Sequence, residues 1–269
     1  MAKVESEIER RLERALEMAR LAGRSTLTHF QRLDLSVERK ADDSPVTVAD
    51  REAERMMRAR IAEWFPDDAI VGEELGEQPG TSGFRWILDP IDGTKSFISG
   101  VPIYSTLVGL ERNGRSELGV IYIPALDEGV YAARGGGAFH FQGDGPPRPT
   151  RVSQRSLANG LFVTSQVDSF AKRGAMGAFE RLQAAAYVTR TWGDGYGYLL
   201  IATGRAEVMV DPIMNVWDAA ALSPVLEEAG GTYTDWNGVP TIYGGEGVAT
   251  NRVTLDEVLA ITRTYARPS

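Results

Sequence analysis

Asp89, Pro90, Ile91, Asp92, Gly93 and Thr94 set two carboxylates, a rigid ring, a glycine and a hydroxyl side by side. The preceding Trp86, Ile87 and Leu88 form an apolar, β-favouring run that predicts a buried strand ending at Asp89. Proline lacks the N–H that a central strand needs, so the chain is expected to turn at Pro90. Such a turn brings Asp89 and Asp92 together, and facing carboxylates repel until one takes up a proton or a cation joins them. Hard oxygen donors in a chain without Cys point to Mg²⁺ and away from Zn²⁺. Gly93 lets backbone approach a ligand closely, and a helix starting at Gly93-Thr94 would turn its amides toward an anion. A cation site beside an anion site suits a phosphate ester. The same residues also compose an ordinary surface turn, because Asp, Pro and Gly are common turn formers.

Four further acids stand at the ends of predicted elements. Thr47 and Asp50 have capping-box spacing, so Asp50 either holds a helix start or belongs to the acidic site. The apolar run at residues 69–72 predicts a strand feeding Glu73 and Glu74, which are either solvated or part of a shared site with Asp89 and Asp92. Asp218 begins an apolar helix carrying Leu222, Val225, Leu226 and Ala229 and ending at Gly230-Gly231, where an acid also suits the helix dipole. Lys40 reads equally as a surface lysine.

The elements that must position these groups follow from periodicity. Residues 3–30 place Val4, Ile8, Leu12, Ala15, Leu16 and Ala19 on one face of a helix. Residues 37–50 lead from a strand through a polar loop into a second helix that stops at Pro66. Residues 104–112, 118–123, 130–133 and 138–141 read as antiparallel strands joined at Asn113-Gly114, Asp127-Glu128-Gly129 and Gly135-Gly136-Gly137. The glycine run has no Lys-Ser/Thr after it and is a turn, not a phosphate loop. The Pro- and Gly-rich stretch 142–149 marks a boundary between an N-terminal α+β subdomain, 1–145, and a C-terminal α/β subdomain, 146–269, packed as one unit. In the second half, strands at 161–164, 187–190 and 206–211 alternate with helices at 169–184 and 195–203.

With 269 residues the chain can bury substantial cores in one large domain or two fused ones. Acidic residues outnumber basic ones, 37 to 29, for a net charge of −8, which argues against a nucleic-acid-coating protein. An anionic substrate remains compatible, because bound divalent cations reverse a local field. The absence of Cys removes disulfides and thiol catalysis. His29 and His140 lie far along the chain from the acidic motifs, so neither a His-based triad nor phosphohistidine chemistry is expected. No apolar run approaches membrane-spanning length, and the chain is read as cytoplasmic, with no membrane partner.

Taken in order, Thr47-Val48-Ala49-Asp50, Gly72-Glu73-Glu74, Asp89-Pro90-Ile91-Asp92-Gly93-Thr94 and Trp217-Asp218-Ala219-Ala220 resemble the inositol monophosphatase superfamily of Mg²⁺-dependent, lithium-sensitive phosphatases. The resemblance spans nearly the whole chain, and its last two motifs are highly specific. It implies an α+β fold of the layered αβαβα sugar-phosphatase type, a homodimer, and two or three Mg²⁺ per site. Glu73, Asp89 and the carbonyl of Ile91 would hold one ion, and Asp89, Asp92 and Asp218 a second, with Asp89 bridging. Thr94 and Glu73 would orient and help deprotonate the attacking water, while the Gly93 and Thr94 amides hold the phosphate. Asp50 would orient Thr94 or assist a further Mg²⁺, and Lys40 matches a basic residue near that site. No covalent phosphoenzyme is then needed.

Inositol-specific members usually carry a small Gly-Ser/Thr-Ala-Ala segment where this chain has Gly193-Asp194-Gly195-Tyr196-Gly197. That departure, with residues 94–102 and 210–218, is most similar to the bacterial histidinol-phosphate phosphatase branch. Histidinol phosphate carries an ammonium and an imidazole, which Asp194 and Asp211 would complement, with Asp92 and Asn215 also contacting substrate. Asp194 is equally a favoured cap for a helix starting near Gly195. The implied activity is hydrolysis of histidinol phosphate in histidine biosynthesis. The alternatives are an inositol-1-monophosphatase or broad sugar monophosphatase and, more remotely, a non-catalytic phosphate-binding regulator.

Overall fold

A computed structural model describes residues 2–40 and 44–265, with side chains from residue 7 onward. Residues 41–43, in the polar loop expected within 37–50, and the side chain of Val4 lie outside the described residues. The helices are α1 (Ala2–Thr26), α2 (Val48–Trp64), α3 (Thr94–Ile98), α4 (Val167–Lys172), α5 (Met176–Ala185), α6 (Asp194–Ala202), α7 (Val216–Ala219), α8 (Leu222–Glu228) and α9 (Leu255–Thr262).

The larger sheet runs, edge to edge, Arg148–Pro149, Ala138–Gln142, Glu128–Ala133, Arg115–Ile123, Ser105–Arg112, Phe84–Asp92, Ala69–Gly72 and Gly76–Gln78. Its first strand lies beyond residue 145, so the sheet crosses the expected subdomain boundary. The smaller sheet runs Val188–Arg190, Leu161–Val163, Val208–Asp211, Gly247–Thr250 and Thr232–Thr234. Nearly continuous burial along the central strands, as in residues 86–88 and Val208–Asp211, covers both faces of the two sheets, and three apolar clusters separate the layers. Ala15, Met18, Ala53 and Met57 of α1 and α2 cover the outer face of the larger sheet. Leu199, Ala202, Leu222 and Leu226 of α6 and α8 fill the space between the sheets. Phe170, Leu182 and Val258 of α4, α5 and α9 close the far face. The result is the αβαβα order expected.

Several expectations about elements fail, among them the single apolar helix expected from Asp218, which is α7 and α8 with Ala220 and Ala221 between them. The strand does not end at Asp89; it continues to Asp92, because the ladder shifts register between Asp89 and Asp92 and so accommodates Pro90 without requiring its N–H. The helix expected at 169–184 is two helices, interrupted where Gly174 takes φ 73°. The first helix stops at Thr26, short of residue 30, where the Ser25 and Thr26 hydroxyls fold back onto the carbonyls of Ala22 and Gly23 at 2.6 Å.

Candidate active site

The acidic site is assembled by that register shift. Asp89 pairs with Leu107 and Asp92 with Ser105, so two residues on one strand, Pro90 and Ile91, face one on the other, Thr106. In an unbroken strand, residues three apart point to opposite faces. The extra residue brings both carboxylates to one side, and the Thr106 hydroxyl ties the bulge by donating to the Pro90 carbonyl at 2.9 Å. Asp218 joins them as the third residue of α7, and carboxylate oxygens of Asp89, Asp92 and Asp218 all lie within 4.8 Å of one another. The parallel pairing of Gly72 with Leu88 brings Glu73 out beside Asp89.

Burial, followed by the neighbouring acids, pushes the carboxyls of Asp89 and Asp92 well above the ordinary carboxylate range. Burial also raises Asp218 to about 7, with the amide of Asn215 pulling the other way from 2.6 Å. Three acids, Asp89 buried and Asp92 and Asp218 partly open to the cavity, converge on one point and require shared protons or a cation, and an all-oxygen donor set fits a hard divalent ion. Asp92 is held by the Ser105 hydroxyl at 2.5 Å and by the Gly195 amide, both on Oδ2. Glu73 is engaged by Lys40, whose Nζ lies 2.7 Å from Glu73 and 2.6 Å from Glu74.

Asp50 makes the helix-start contact that its spacing predicts. Its Oδ2 accepts the Thr47 amide at 2.8 Å and hydroxyl at 2.6 Å, completing a capping box at the start of α2. Its Oδ1 is buried without a hydrogen-bond partner, and burial raises the group's pKa with a contribution from Glu73. The Thr94 hydroxyl donates to the Ile91 carbonyl at 3.1 Å, so the link here is Thr94 to Ile91.

Beside the acids opens a cavity of about 300 Å³, with Glu73, Asp92, Gly93, Thr94, Asp194, Asp211 and Asp218 in its wall. Gly93, at φ 83°, caps α3 in the left-handed region that only glycine adopts freely. Asp194 sits in the same region at φ 53°. It does not cap α6: Gly193 holds the cap position, and the Asp194 amide instead donates to the Ser165 hydroxyl at 2.8 Å. Burial and then Asp211 raise the Asp194 carboxyl to about 6. Asp211 reaches the cavity wall but is already gripped by the Ser165 amide at 2.9 Å and hydroxyl at 3.0 Å, Tyr198 at 2.9 Å and Thr164 at 3.3 Å. Asn215 is exposed at the start of α7, outside the residues that line the cavity.

Several participants carry no signal in isolation. Ser165, Tyr198 and Gln166 are common residue types on separate elements that only the tertiary fold brings to the cavity, and Ser105 reaches Asp92 from the neighbouring strand. Lys95 directly follows the Asp92-Gly93-Thr94 turn, and that position is its only signal in the sequence.

A model of the inositol monophosphatase family matches residues 7–266. The chain is 45% identical over 237 residues to a histidinol-phosphatase of Chlorobaculum parvum, covering 88% of this chain and 90% of that one. It is 40% identical over 248 residues to a histidinol-phosphatase of Mycobacterium tuberculosis, covering 91% and 95%. Among solved structures, an inositol monophosphatase from Zymomonas mobilis matches with a TM-score of 0.82 at 30% identity, over 95% of this chain and 98% of that one.

Proposed function

The chain belongs to the inositol monophosphatase family, and we propose that within it the protein is a Mg²⁺-dependent phosphomonoesterase that converts histidinol phosphate to histidinol and phosphate. The observation that carries the reading is the convergence of Asp89, Asp92 and Asp218 within 4.8 Å beside the Gly93-Thr94 turn.

When bound, Mg²⁺ supplies a lowered pKa for water and an electrostatic counterweight to charge on the oxygens of phosphorus. Asp89, Asp92 and Asp218 would hold one ion and Glu73, Asp89 and the Ile91 carbonyl another, with Asp89 common to both. Asp50, through its partnerless Oδ1, would support a third. Glu73 accepts the proton of the attacking water, and the Thr94 hydroxyl orients that water. The Gly93 and Thr94 amides hold the phosphate in line with it. Positioning and preorganised charge then do the work, without a covalent intermediate.

Two observations favour histidinol phosphate among esters. The relatives with the quoted identities are named histidinol-phosphatases. Asp194 also places a carboxylate at the cavity wall, suited to a substrate bearing an ammonium or imidazolium. Asp92 joins Asp194 in the substrate contacts on this reading, which assigns specificity to residues 146–269; Asp211, its oxygens engaged by Ser165 and Tyr198, and Asn215, outside the cavity wall, drop out as direct contacts. A second reading, inositol or broad sugar monophosphatase, is favoured by the similarity to the Zymomonas enzyme. Lithium inhibition, a homodimer and a cytoplasmic location accompany the proposal; among the described residues, no helix is long and apolar enough to cross a membrane. The test is phosphate release in Mg²⁺ from histidinol phosphate and inositol 1-phosphate side by side. A large kcat/KM preference for the first supports the assignment, and preference for the second, or none, overturns the substrate and leaves the chemistry intact.

A further inference from the structure

Lys95 is a cavity residue that neither the metal site nor the acidic substrate contacts account for. Among the described residues lining the cavity it is the only cation, facing the carboxylates of Glu73, Asp92, Asp194, Asp211 and Asp218. Lys40, behind this wall, is already paired with Glu73 and Glu74. With five carboxylates in the cavity wall, an entering phosphate dianion gains from a cation beyond the bound divalent ions.

The Lys95 side chain already reaches across the site. Its Nζ donates to Oε1 of Gln166, the residue that precedes α4, so the ammonium spans from α3 to the opposite wall. Both partners line the cavity, and Lys95 itself is exposed, on a flexible four-carbon stem that moves without disturbing a core. A neutral amide oxygen is a weaker acceptor for an ammonium than an anionic phosphate oxygen.

We propose that Lys95 exchanges Gln166 for a non-bridging phosphate oxygen when substrate enters, and so is a phosphate-recognition residue of this site. The inference rests on the phosphomonoesterase reading and deepens it. Recognition falls on the group common to all phosphate esters, so it is indifferent to the alcohol portion.

The test compares the Mg²⁺-loaded wild type with Lys95→Ala and Lys95→Arg. Inorganic phosphate binding is measured by calorimetry, and kcat and KM are measured for histidinol phosphate and inositol 1-phosphate at several salt concentrations. Loss of one charge-assisted contact at an exposed rim should raise KM about tenfold for both esters, weaken phosphate binding by about the same factor and leave kcat within about twofold. Lys95→Ala should also flatten the fall of kcat/KM with salt, and Lys95→Arg should restore most of each effect. Unchanged KM and phosphate affinity in Lys95→Ala, a change in kcat alone, or a loss confined to one ester would each overturn the proposal. If the wild type released no phosphate from either ester, the phosphatase reading would fall instead, and the calorimetric comparison would still judge Lys95.

Discussion

The Asp194 carboxylate rests against the bare backbone of Gly93, so close that a β-carbon on Gly93 would lie 2.6 Å from Oδ2. One residue comes from the turn after the long central strand, the other from the first turn of α6. The missing side chain at Gly93 therefore serves both a left-handed turn and the approach of an acid from the other half of the chain.

Gly93→Ala should lower stability by about 1–2 kcal/mol, from the strain of φ 83° in a residue with a β-carbon. It should also push Asp194 out of place, lowering kcat/KM more than the stability loss explains. Urea unfolding and steady-state kinetics on the same preparation check both; wild-type stability would contradict the strain argument.

Asp194→Ala should raise KM for histidinol phosphate about tenfold and leave KM for a neutral sugar phosphate nearly unchanged, because only the first substrate brings a cation to the carboxylate. Equal effects on the two substrates would remove Asp194 from the specificity argument.

Asp92→Asn should abolish detectable turnover, by at least about a thousandfold, while the far-ultraviolet dichroism stays native. The amide oxygen of Asn can still accept from Ser105 and Gly195, as Oδ2 of Asp92 does, so the local fold survives when the charge is lost. Persistent turnover in Mg²⁺ would refute the assignment of Asp92 to an ion.

The metal-free protein should lose stability as pH rises from about 4 to about 7. Burial lifts Asp218 from 3.8 to about 7, Glu74 from 4.5 to about 7 and Asp194 from 3.8 to about 6. A pKa raised in the fold means the folded state binds more protons, so the stabilisation is fully present below the unfolded pKa and is lost as pH climbs through the folded one. The melting temperature should fall by about 5–10 °C across that interval. Saturating Mg²⁺ should flatten the profile, with proton release on binding near pH 6. A metal-free melting temperature that rises with pH would show these acids ionised without a partner.

Some of this site is legible in consecutive residues. Asp89 through Thr94, and Trp217 through Ala220, announce acids at turns and helix starts because acid, proline and glycine have strong local preferences. The layered order follows from the alternation of strand and helix periodicities, and the capping box at Thr47 and Asp50 follows from their spacing.

Other features depend on contacts between segments distant in sequence. Pro90 argued for the end of a strand, and only the pairing with Leu107 and Ser105 reveals the bulge that carries the strand to Asp92. Asp211 looked free for substrate, yet Ser165 and Tyr198 from two other elements occupy its oxygens. The bridge from Lys95 to Gln166 exists because the two halves close on one cavity. Local preferences act within a few residues and therefore determined which groups are present and how each turn is made. The tertiary structure decided which carboxylates share a site, which are already satisfied and which cation stands over them, because burial and electrostatic coupling depend on distance in space and not along the chain.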